Sequence, residues 1–87
     1  MKKEISFRHD AFSDYVEWGK TDKKTFDKIN KLLKEISSTP FEGTGQPEEL
    51  RHELSGFWSR RINKEDRLIY KVESDRSIII SCKGHYN

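Results

Sequence analysis

A single cysteine, Cys82, stands among 87 residues. The chain can therefore close no disulfide on itself, and the scarcity of thiols fits a reducing cytoplasm. Prolines are scarce too, only Pro40 and Pro47, and both fall in one stretch. No apolar run is long enough to span a membrane, and no secretory signal is recognisable, so a cytoplasmic protein is expected. Hydrophobic residues make up 32% of the chain against 37% charged. Even so, the apolar positions recur with clear periodicity, which excludes a disordered chain. Net charge is +2, too small to argue a nucleic-acid partner by itself. The length allows one domain, residues 1–87, with a modest core. There is no repeat, low-complexity tract or linker.

What is present is unevenly placed. Eight of the eleven lysines precede Glu42, and five of the six arginines follow it. Ile5 and Phe7 alternate with polar neighbours, as in a short strand. Asp10 suits the cap of a first helix, in which Phe12, Tyr15, Val16 and Gly19 form a stripe with Trp18 to its side. Thr21 is placed to cap a second helix with Asp22 in its first turn. There Phe26, Ile29, Leu32, Leu33 and Ile36 form the apolar face, and lysines form the wet one. Pro40 stops that helix. A loop rich in glycine and proline then runs to Glu48 and Glu49, and its length for so small a domain suggests a functional segment.

Beyond the loop the pattern changes to short aromatic and β-branched runs split by Ser55-Gly56 and by Asn63-Lys64-Glu65-Asp66, which predicts strands and tight turns. Four arginines are interleaved there: Arg51, Arg60, Arg61 and Arg67. Strand alternation sets Leu68, Tyr70 and Val72 on one face and Arg67, Ile69 and Lys71 on the other, leaving Arg67 available to an anion. The last strand, Ser77 to Cys82, is expected to carry Cys82 on the same face as Ile78 and Ile80, as an inert buried thiol.

Several chemistries can be set aside. His9, His52, His85 and Cys82 are too scattered for a zinc site, so neither metal nor other cofactor is expected. Gly43-x-Gly45 lacks the lysine and hydroxyl residue of a phosphate loop, and no serine sits in a nucleophile elbow. What remains is acid–base chemistry from Glu48, His85, Tyr86 and the arginines. RNA carries its own nucleophile, the 2′-hydroxyl. Cleaving it needs a base, an acid for the leaving 5′-oxygen, and positive charge at the phosphorus. These residue types occur in most domains, so spacing alone leaves open a ribonuclease, a non-catalytic RNA-binding surface, or arginines that merely solvate a sheet.

Longer runs are more specific. Thr39-Pro40-Phe41-Glu42-Gly43, Pro47-Glu48, Leu54-Ser55-Gly56-Phe57-Trp58-Ser59-Arg60-Arg61-Ile62, Arg67-Leu68-Ile69-Tyr70 and the terminal His85-Tyr86 together resemble the YoeB toxins of the RelE superfamily, over essentially the whole chain. The resemblance implies an α+β fold of order β-α-α-β-β-β, a small antiparallel sheet with two N-terminal helices on one face. It implies the toxin of a type II toxin–antitoxin pair: a ribosome-dependent, metal-independent messenger-RNA endonuclease acting at the A site. Such a toxin is neutralised by a YefM-type antitoxin and can form a homodimer. Carried over by motif, Glu48 would be the general base, His85 the general acid, Arg67 the transition-state arginine and Tyr86 a supporting aromatic, with Arg51 and Arg61 on phosphates. Glu49 directly follows Glu48, Gly84 loosens the segment before His85, and Asn87 extends the chain past the His-Tyr pair. A non-catalytic translation inhibitor or an antitoxin-binding co-repressor is the alternative.

Overall fold

The computed structural model describes residues 2–84. Strand β1 (Glu4–Phe7) leads into helices α1 (His9–Thr21) and α2 (Lys23–Ser38). Strand β2 (Glu48–Glu49), a 3-10 turn (His52–Leu54), β3 (Phe57–Arg61), β4 (Arg67–Val72) and β5 (Arg76–Ser81) follow. The strands form one sheet in the order β1-β5-β4-β3-β2. The pairs from β2 to β5 are antiparallel, but β1 lies beside β5 in parallel. The fold is thus α+β as expected, with a mixed sheet of five strands rather than a purely antiparallel one of four. Hydrophobic periodicity marks where strands are and carries nothing about their relative direction.

The α2 stripe behaves as its spacing predicts: Ile29, Leu32 and Ile36 are fully buried against Leu68, Tyr70 and Ile79. Each such side chain contributes about 1.5–3 kcal/mol by leaving water. The helix is capped by Asp22 rather than Thr21, its carboxylate accepting from the Thr25 amide and hydroxyl. Those bonds hold the Asp22 carboxyl below the usual range.

Helix α1 is rotated from its expected phase. Ala11 is its buried residue, and Tyr15 and Trp18 pack at the edge of the core, while Phe12 and Val16 are exposed. Trp18 Nε1 donates to the Cys82 carbonyl at 2.9 Å, a long-range bond that fixes the helix rotation. Asp10 lies in the first turn, and the cap residue is Arg8.

Cys82 is buried, but with Ile79 rather than Ile78 and Ile80. Tyr70 pairs with Ile79 while the preceding Ile69 pairs with Ser81, so Ile80 is one residue too many in β5. Such a bulge inverts the alternation beyond it and turns Cys82 onto the helix side. Burial there pushes its thiol up to about 12, which makes it a poor nucleophile.

Candidate active site

Glu48, Arg61 and Arg67 lie on the sheet face turned away from the helices. Directly paired residues project to the same face of an antiparallel sheet. Register therefore aligns Glu48 of β2, Ser59 of β3, Ile69 of β4 and Ser81 of β5 in one row, and Arg61 opposite Arg67 in the next. Glu49 pairs with Trp58, a residue packed against the core, and so points to the helix side. The two adjacent glutamates are sorted to opposite faces by the pleat alone.

Arg61 and Arg67 are like charges placed directly opposite one another, an arrangement that is unfavourable unless an anion offsets it. Arg61 is exposed. Arg67 is half-buried and held from behind: its Nη1 donates to the carbonyls of Asn63, Lys64 and Asp66 at 2.9, 3.3 and 3.2 Å. Its Nε and Nη2 have no partner among the described residues. The turn that receives Nη1 is itself braced by Asn63, whose Oδ1 accepts from the amides of Glu65 and Asp66.

His85 and Tyr86 lie outside the described residues, but the chain just before them does not. The Arg67 amide donates to the Gly84 carbonyl at 2.8 Å, and the Gly84 amide donates to Asp66 Oδ1 at 2.8 Å. Gly84 has a φ of 80°, in the left-handed region that suits glycine. The expected looseness at Gly84 is thus replaced by a clamp: its left-handed turn brings both polar groups of its backbone onto Asp66 and Arg67, at the start of β4.

Arg51 is exposed in the loop that joins β2 to β3. The Leu50 amide donates to the Phe57 carbonyl, so Arg51 lies beyond Phe57, while Arg61 closes the other end of β3. The length of that strand separates Arg51 from the Arg61–Arg67 pair. Glu49, Leu50, Arg51, His52 and Ser55 line a shallow polar depression there.

Arg60 is the arginine whose surroundings differ most from the expectation of a surface cation. It lies on the helix side of β3, fully buried. Its Nη1 pairs with Glu35 Oε1 at 2.8 Å, and Nε donates to the Tyr70 hydroxyl at 3.2 Å. Nη1 and Nη2 also reach the carbonyls of Thr39, Glu42 and Thr44. The signal available in the sequence was its position in the strand, two residues from Trp58 and Ile62, which assigns it to the core face.

Among the described residues no group of three or more His, Cys, Asp and Glu side chains could hold a metal ion, and no helix is long and apolar enough to cross a membrane.

Comparison with known proteins covers most of the chain. A family model described as the YoeB-like toxin of bacterial type II toxin-antitoxin systems matches residues 7–86. Toxin YoeB of Escherichia coli (strain K12) is 49% identical over 82 residues, which cover 94% of this chain and 98% of that protein. The structure of a YoeB dimer from Staphylococcus aureus superposes with a TM-score of 0.91 at 46% identity, covering 99% of this chain and 100% of the other. A YoeB-YefM complex from the same organism gives 0.88 at 45% identity, with the same coverage.

Proposed function

The chain belongs to the YoeB-like toxins of bacterial type II toxin–antitoxin systems, and from that premise we propose that it is a ribosome-dependent, metal-independent endonuclease of messenger RNA. Glu48 removes the proton from a ribose 2′-hydroxyl, whose oxygen attacks the adjacent phosphorus. Arg67 and Arg61 stabilise the charge that builds on the phosphorane. His85 donates a proton to the departing 5′-oxygen, and Tyr86 supports the nucleotide beside it. The P–O5′ bond breaks as the 2′-O–P bond forms, leaving a 2′,3′-cyclic phosphate and a 5′-hydroxyl. Arg51 contacts a phosphate further along the strand.

The observation that carries this reading is the cross-sheet register, with Glu48 in the row next to the Arg61–Arg67 pair on one face. A carboxylate one row from two guanidiniums on the same face suits a reaction that removes a proton and builds negative charge at one phosphate. A surface that only bound RNA would gain nothing from an anion among its cations.

The partners follow from the relatives. Staphylococcus aureus YoeB is found with YefM and as a dimer, and we carry over a YefM-type antitoxin and a homodimer to this protein. Its proposed target is the message in the ribosomal A site, in the cytoplasm. Primer extension on messages from cells expressing the protein tests the reading: discrete breaks within codons, with 5′-hydroxyl ends, are expected. Stalled ribosomes on intact message would instead establish inhibition by occupancy.

A further inference from the structure

We propose that Arg60 is a positioning residue for Glu48: acting with Glu35 and Thr44, it holds the loop between α2 and β2 so that Glu48 enters the sheet opposite Ser59. The inference rests on the reading of Glu48 as the base.

A guanidinium with no exposed surface is costly unless every donor is met, and three of the five acceptors that meet Arg60 are carbonyls of that loop. Nη2 donates to Thr39 O at 2.7 Å and Glu42 O at 2.9 Å, and Nη1 to Thr44 O at 3.3 Å. Glu35 of α2, paired with Nη1, completes the clamp by accepting from the Thr44 amide and hydroxyl, each at 2.7 Å. Tyr70 closes it from below, its hydroxyl accepting from Arg60 Nε and donating to Pro40 O. Core stability does not require such a charge, because apolar residues of similar volume commonly serve as well or better. What the charge adds is a fixed path for three loop carbonyls, those of Thr39, Glu42 and Thr44.

The loop has little else to set its course. Phe41, Glu42, Gly43 and Gln46 are exposed, and its aromatic contact is Phe41 on Trp58. Two glycines mark how closely it is drawn in. A Cβ on Gly43 would collide with the Glu35 carboxylate, and one on Gly45 would lie 2.9 Å from Arg61 O. The Arg61 amide donates to Gly45 O at 2.7 Å, so the loop joins the β3 ladder three residues before Glu48. Gln46 then takes a φ of 53°, a left-handed conformation that a non-glycine residue holds only where its surroundings impose it. Only Pro47 remains before Glu48.

The test is a double-mutant cycle read in single-turnover cleavage of ribosome-bound message, well below the melting temperature. Arg60→Met fills the space without the donors. It should lower the cleavage rate about 10²-fold, the scale of an ångström-sized misplacement, with little change in affinity for the ribosome. In a Glu48→Gln background the same substitution should cost almost nothing more, because a residue acting through another is non-additive with it. Amide exchange at Arg61 should quicken as the loop detaches. Thr44→Val removes one link of the clamp at a half-buried position and serves as a second variant should Arg60→Met not fold; a several-fold loss, again absent beside Glu48→Gln, is expected. Losses that add fully to Glu48→Gln, or wild-type cleavage by both clamp variants, would overturn the positioning role. Wild-type cleavage by Glu48→Gln itself would instead remove the base assignment, a separate failure visible in the first single variant.

Discussion

The backbone amide of Arg67 donates to the carbonyl of Gly84 across 2.8 Å. The arginine proposed to stabilise the transition state and the residue preceding the proposed acid are thereby tied by one backbone hydrogen bond. Asp66, the neighbour of Arg67, ties the other side of Gly84 through its carboxylate. The strand that carries Arg67 therefore also sets where the chain departs toward His85.

The first consequence concerns Asp66. Asp66→Ala removes the acceptor for the Gly84 amide and should slow message cleavage by about 10-fold, as imperfect placement of a catalytic group does. Asp66→Asn retains an acceptor oxygen and should cut at close to the wild-type rate. The bond is exposed, so the melting temperature should move little, on the order of 1 kcal/mol or less in stability. Equal cleavage by all three proteins would show that Gly84 needs no anchor.

The pleat separates Glu48 from Glu49, and their variants should separate equally. Single-turnover cleavage should fall by roughly 10²-fold or more for Glu48→Gln, the contribution expected of a general base. Glu49→Gln should stay near wild type. The reverse order would mean that the edge strand slips by one residue on the ribosome.

Arg51 and Arg61 sit at opposite ends of β3, and each is proposed to meet a phosphate. Binding to single-stranded RNA measured across a salt series should then lose about 0.7 from the slope of log affinity against log salt for each arginine replaced by alanine. Slopes unchanged from wild type would identify both as surface decoration.

Glu35 supplies a pH dependence. Hydrogen bonds from the Thr44 hydroxyl and amide, with a smaller contribution from Arg60, hold its carboxyl below its ordinary value of 4.5. A carboxyl lowered in the folded state contributes stability that is fully present above that ordinary value. The contribution is lost as pH falls through the folded-state value. The wild-type protein should therefore lose stability below about pH 4.5 more steeply than Glu35→Gln, while the gap between them stays constant at higher pH. Parallel curves in urea titrations from pH 7 to 3 would remove Glu35 from the acid response.

What the sequence determined by itself is what depends on local pattern. The three-four spacing of Ile29, Leu32 and Ile36 dictated a helix with one buried face. The alternation from Arg67 to Val72 put Arg67 and Tyr70 on opposite sides of a strand. The runs around Pro47-Glu48 and Phe57 to Ile62 were distinctive enough to point to the family. Tertiary structure decided whatever depends on residues far apart in the chain. The parallel lie of β1 on β5, the bulge at Ile80 that turns Cys82 inward, and the helix rotation that exposes Phe12 all arise from pairing and packing between distant segments. The same holds for Arg60, whose type suggests a surface cation but whose place between Glu35, Tyr70 and three loop residues makes it a buried clamp. Side-chain type sets what a residue can bind; only the fold brings those partners within hydrogen-bond reach.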